Sequence, residues 1–149
     1  MSEKRILITG VSSGLGHGLA KCYLAMGADV YGCSRRSPDD LLEQGLNFCA
    51  LDLSQQAESE PKFRAWIEDV ESFDVVILNA GVLGKIKDMQ DCSMAELKAT
   101  MEVNVWSNKW ILDACLGGSR TIQQVIGISS GASLSGSRGW NGYSLSKAA

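Results

Sequence analysis

Residues 9–16 read TGVSSGLG, and this loop constrains everything around it. It follows RILIT (Arg5–Thr9), a strand-length apolar run without polar alternation, as expected of a strand buried on both faces. It leads into residues 14–26, where Leu15, Leu19, Cys22, Tyr23 and Met26 recur at helical spacing and Gly27 supplies a stop. A helix N-terminus offers unpaired N–H groups and a partial positive charge, so a glycine-rich turn placed there suits a phosphate. Gly10 permits the tight turn, Gly14 lets the backbone approach a pyrophosphate, and Gly16 allows close packing of helix on strand. Ser12, Ser13 and Leu15 fill the loop and are the accompanying cofactor-binding candidates.

The remaining chain repeats the same alternation. Strand-like runs fall at Asp29–Ser34 and residues 46–51, 74–78 and 124–129. Between them lie helical stretches at residues 39–44, from Pro61 to about residue 70, and from residue 93 to about residue 115. The last opens on SMAE, a capping box of Ser93 with Glu96. A final helix begins near residue 141. Strands and helices in strict alternation give an α/β domain whose parallel sheet is doubly wound, with an expected strand order of 3-2-1-4-5. No linker or repeat divides residues 1–149, which read as one dinucleotide-binding domain.

A net charge of -3 gives no general attraction to nucleic acid or anionic membrane. No apolar run approaches the ~20 residues of a membrane span, and the N-terminus lacks a signal-peptide pattern. The five cysteines are scattered, without a CxxC pair, so they read as reduced core residues of a cytoplasmic protein and supply no metal site. His17, the single histidine, reads as structural or close to the phosphates. Without a histidine partner for its serines or cysteines the chain carries no hydrolase triad.

The spacing Thr-Gly-x-x-x-Gly-x-Gly resembles that of the short-chain dehydrogenase/reductase family, and further landmarks of that family follow in order. NAG closes the fourth strand at Asn79, Ala80 and Gly81; Asn104 stands midway along the long helix in EVNVW; ISS ends the fifth strand at Ser129 and Ser130; and YSLSK supplies Tyr143 and Lys147. The resemblance covers residues 5–149 and implies a Rossmann-type fold, an NAD(P) cofactor and a small carbonyl or alcohol substrate. It implies Tyr143 as general acid/base, Lys147 as its tuner and nicotinamide-ribose ligand, Ser130 as hydrogen-bond donor to the substrate oxygen, and Asn104 as holder of a relay water. It also implies contacts to the adenosine half from Asp52, Leu53 and the Asn79-Ala80-Gly81 backbone.

The chemistry of these residue types agrees. A free phenol titrates near pH 10, and an ammonium nearby favours the phenolate. Residues four apart share a helical face, which puts Lys147 beside Tyr143. At the end of the second strand, where a carboxylate would select NAD, stand Ser34, Arg35 and Arg36. Guanidinium groups there favour a 2′-phosphate, hence NADP(H), with Arg35 the better candidate.

SSGA and GW before the tyrosine are similar to the benzil-reductase and sepiapterin-reductase-like branch. That implies reduction of a ketone or dicarbonyl, with Trp140 available to an aromatic group and residues 83–92 forming another edge of the pocket. Members of the family continue past the lysine with the last two strands of a seven-stranded sheet and the substrate loop. This chain is therefore expected to lack those parts, leaving the fifth strand as an edge and Trp106, Trp110 and Val125 open to water. Self-association to a dimer or tetramer is the further expectation. The alternative reading is a nucleotide-binding or assembly fragment with no turnover of its own.

Overall fold

The structure, a computed structural model, describes residues 3–149. Five parallel strands form one sheet in the order β3-β2-β1-β4-β5: β1 (Arg5–Thr9), β2 (Asp29–Ser34), β3 (Asn47–Ala50), β4 (Ser72–Leu78) and β5 (Thr121–Gly127). The central strand pairs Ile6 with Val30 on one side and with Val75 on the other. Its side chains alternate between two cores, so both faces must be apolar. Ile6 and Ile8 join Val11, Ala20, Val30, Leu41 and Ile77 under α1 (Gly14–Ala25) and α2 (Asp39–Leu42). Leu7 points the other way, into a cluster with Phe63, Ile67, Phe73, Val76, Trp110 and Ile111 under α3 (Gln56–Trp66) and α5 (Ser107–Cys115). The doubly wound topology and strand order are those expected from the alternation.

Several boundaries differ from the sequence reading. α3 begins at Gln56, so Pro61 sits inside the helix instead of opening it. Its early turns are held by other means. The Ser59 hydroxyl donates to the Asp52 carbonyl at 2.6 Å, and Gln56 and Arg64 both bind Glu60 one turn away. α3 also ends sooner, at Trp66. Arg120 takes the Ile67, Val70 and Ala114 carbonyls with its three guanidinium nitrogens and so ties helix ends to the start of β5. β5 itself lies three residues earlier than expected at its start, paired with β4 from Ser72↔Thr121 onward.

The long helix starts at Ser93 with both halves of the capping box formed. It runs as α4 (Met94–Met101), a π-helical segment (Glu102–Trp106) and α5. The last helix, α6 (Asn141–Ala148), packs on α4, where Gly142 allows close approach to Leu97 and Thr100.

β5 is an edge strand, with Val125 45% and Trp106 52% exposed. Trp110 is not open to water as expected: it is 2% exposed, its ring edge-on to Phe63 at 5.8 Å, because it faces α3. Cys33, Cys49 and Cys115 are core residues, but Cys22 is exposed and Cys92 half-buried, so two of the five cysteines depart from the core reading. Burial pushes the Cys33 and Cys115 thiols up to about 12. Among the described residues no helix is long and apolar enough to cross a membrane.

Candidate active site

The carboxyl ends of β1, β2 and β4 meet around one knot. The Thr9 hydroxyl, fully buried, accepts from the Asn79 and Ala80 amides at 3.0 and 2.9 Å. The Asn79 side chain returns two bonds, to the carbonyls of Thr9 and Gly10. The glycine loop is pinned at its start by this exchange. Gly10 turns at φ 78° and donates to the Cys33 carbonyl, which carries the chain from β1 across to the end of β2. Gly16 lies so close to the loop that a Cβ there would run into the Gly10 carbonyl oxygen and Asn79 Nδ2. Gly14, at φ 61°, has open space where a Cβ would be.

Beside the loop lies a cleft of about 270 Å³. Of the sequence candidates, Gly10, Ser12, Ser13, Ser34, Arg35, Arg36, Asp52, Leu53, Asn79, Ala80 and Gly81 line it. Gly14, Leu15 and Gly16 do not: Gly16 is buried behind the loop and Leu15 points to solvent. Ser13 is the N-cap of α1 and makes no side-chain capping bond, so the helix presents backbone donors at the cleft. The Arg35 and Arg36 side chains are exposed, and the Ser34 hydroxyl holds their turn by donating to the Arg36 carbonyl at 2.7 Å. Asp52 accepts from the Ser54 hydroxyl and amide; those bonds, with Arg35 nearby, hold its carboxyl below the usual range. An open helix N-terminus facing two guanidinium groups fits a ligand carrying several phosphates. The residues present therefore fit a dinucleotide cofactor.

A second cleft, about 350 Å³, opens from the same place and shares Asn79, Gly81 and Val82 with the first. Tyr143, Lys147, Trp140, Leu83, Ile128 and Ser129 complete it. Lys147 Nζ donates to the Ile128 carbonyl at 2.8 Å and stands 5.7 Å from the centre of the Tyr143 ring. The Trp140 ring meets Tyr143 edge-on, centroids 5.8 Å apart. The two loops that supply Leu83 and Trp140 to the cleft are tied to each other. Lys87 N donates to the Gly139 carbonyl, Asn141 Nδ2 donates to the Lys87 carbonyl, and Arg138 grips Asp88 through two 2.6 Å bonds.

Two sequence candidates stand apart from this cleft. Ser130 caps a short 3-10 turn (Gly131–Ser133), its Oγ accepting from the Ala132 amide, and it is Ser129 that lines the cleft. Asn104 is 6% exposed within the π-helical segment and lines neither cleft. Its side chain braces the loop between them: Oδ1 accepts from the Val82 amide at 2.8 Å and Nδ2 donates to the Val82 carbonyl at 2.9 Å. The Asn104 carbonyl accepts from Asn108 Nδ2. Val82, Val103 and Ser54 also line the first cleft. As ordinary core and loop types they carried no sequence signal. His17 lies 2.9 Å from both Asp40 oxygens and joins α1 to α2, a structural placement.

A five-stranded doubly wound sheet with a glycine loop, an NAG turn and a Tyr–Lys pair at its carboxyl edge defines a class of proteins. The short chain dehydrogenase family profile matches residues 4–149. The chain belongs to that family of oxidoreductases. It is 30% identical over 152 residues to a benzil reductase ((S)-benzoin forming) of Bacillus subtilis, covering 95% of this chain and 61% of the relative. Its fold matches a short-chain dehydrogenase from Streptomyces avermitilis with a TM-score of 0.85 at 27% identity, over 99% of this chain and 56% of the other. It matches an NADH-dependent reductase A1-R' complexed with NAD with a TM-score of 0.80 at 29% identity, over 99% of this chain and 68% of the other. The chain thus spans about three fifths of the length of the Bacillus relative.

Proposed function

We propose that this chain carries the cofactor-binding and proton-transfer half of an NADP(H)-dependent reductase that converts a ketone or dicarbonyl to an alcohol, or the reverse. One observation carries the reading: Tyr143 and Lys147 line a cleft that shares Asn79, Gly81 and Val82 with the glycine-loop cleft. A cofactor held in the first cleft would reach the second along this shared wall, where Tyr143 and Lys147 stand. The nicotinamide, when bound, supplies the hydride to the carbonyl carbon.

This chain's residues do the rest. The α1 N-terminus and the loop amides bind the pyrophosphate. Arg35, with Arg36 beside it, takes the ribose 2′-phosphate, and the lack of a carboxylate at Ser34 favours NADP(H) over NAD(H). This chain's preference turns on residues 34–36. Tyr143 gives its phenolic proton to the substrate oxygen, and the Lys147 ammonium stabilises the phenolate left behind. Ser130 is proposed to donate to the same oxygen: its Oγ accepts from the Ala132 amide, which leaves the hydroxyl proton to give. The Trp140 and Leu83 side chains favour a substrate with an aromatic or flat apolar group beside its carbonyl. The benzil reductase similarity supports that choice.

The test is NADPH consumption by the purified protein against a panel of ketones and diketones, with Tyr143→Phe alongside. The expected result is turnover that falls at least a hundredfold (~10²) in Tyr143→Phe while cofactor affinity is kept. Cofactor binding without turnover in the wild-type protein would favour the alternative, a nucleotide-binding fragment.

A further inference from the structure

We infer that Ser146 is a positioning residue that couples the loop between the two clefts to the helix carrying Tyr143 and Lys147. The inference rests on the proposed role of Tyr143. Ser146 is 4% exposed and lies between two groups of opposite character. Asn104 Nδ2 donates to its Oγ at 2.9 Å, and its own hydroxyl donates to the Tyr143 carbonyl at 2.7 Å.

The direction of this chain of bonds is fixed by chemistry. The Val82 amide needs an acceptor, which puts Asn104 Oδ1 there and turns Nδ2 toward both the Val82 carbonyl and Ser146. A hydroxyl that accepts from Nδ2 has one proton left to give, and the Tyr143 carbonyl receives it. A serine bonding back to the carbonyl three residues earlier is held to that turn of its helix, so this bond ties Ser146 to the turn of α6 that carries Tyr143. Val82 lines both clefts, whereas Tyr143 lines the second. A displacement of the loop at Val82 therefore reaches Tyr143 through two buried side chains and no solvent. The π-helical segment suits this task, since it brings Asn104 under the loop while Asn108 covers the Asn104 carbonyl. Every donor of the Asn104 and Ser146 side chains is thereby occupied, a closed network of the kind that fixes geometry.

Amide hydrogen exchange in Ser146→Ala tests the coupling without needing activity. Losing one partner of a buried bond should speed exchange at the Val82 amide about tenfold. The β1 amides of Ile6, Leu7 and Ile8 should keep their wild-type rates. An unchanged Val82 rate, or an equal acceleration of all four amides, overturns the inference, because the serine would then be inert or merely stabilising. In the turnover assay Ser146→Ala should lower kcat about tenfold with KM for the cofactor unchanged. A normal kcat beside faster Val82 exchange overturns the link to Tyr143. A wild-type protein without turnover counts against the proposed function alone, and the exchange result then decides the coupling by itself.

Discussion

Gly16 and Gly14 are two residues apart and do different work. Gly16 is buried against the Gly10 carbonyl and the Asn79 side chain, so an added methyl group meets backbone that cannot yield. Gly14 has free space around it and a φ of 61°, so a methyl group there meets only its own backbone. The two alanine variants should therefore separate. Gly16→Ala is expected to cost roughly 1–3 kcal/mol or more by overpacking, and Gly14→Ala about 1 kcal/mol from the left-handed conformation alone. Urea denaturation of both measures the difference, and equal losses would contradict the distinction. The glycines were legible as a set because their spacing between strand and helix is readable. Which of them is steric and which conformational was not, since that depends on where Asn79 arrives from a strand 70 residues away in contact with Thr9. Ser130 makes the same point. Its spacing from Tyr143 is readable, but the bond that holds its hydroxyl in a turn is local geometry that no spacing reports.

At the scale of elements, the start of α4 is the part most dependent on charge. The Lys87 ammonium, then the Ser93 amide, hold the Glu96 carboxyl down to about 2. Its folded-state value lies below the unfolded one, so its contribution is fully present above about pH 4.5. It is lost as pH falls toward about 2. The Lys87 backbone also donates to the Gly139 carbonyl and accepts from the Asn141 side chain, so this ion pair ties the loop before α4 to the segment leading into α6 as well as to the helix. Wild type and Glu96→Gln should thus differ in denaturation midpoint at pH 6 and converge between pH 4.5 and pH 2. A gap that persists at pH 2 would exclude the ionised carboxylate as its source. Ser93 and Glu96 were legible as a capping box because both partners lie in four consecutive residues. The contribution of Lys87 was not, nor was the true start of α3. There Pro61 looked like a first-turn residue, and the bonds that begin the helix earlier come from Asp52, Gln56 and Ser59. The π-helical segment had no signature of its own beyond the position of Asn104.

For the whole molecule, strand order and the two-sided core follow from alternation alone. The apolar alternation of Ile6, Leu7 and Ile8 needs helices on both faces, and right-handed crossovers then leave few topologies. Exposure was harder to read. Trp106 and Trp110 lie one turn apart in sequence, yet one faces solvent and the other packs on Phe63. The most consequential feature at this scale is that glycine loop, paired arginines and Tyr–Lys pair converge on two clefts that share one wall. Affinity for the two nicotinamide cofactors tests that convergence directly and requires no substrate. Titration of the purified chain should show NADPH binding tighter than NADH, with Arg35→Ala weakening NADPH about tenfold, as loss of a charge-assisted bond implies, and leaving NADH unchanged. Binding of neither nucleotide, or NADH binding as tightly as NADPH with no effect of Arg35→Ala, would contradict the account.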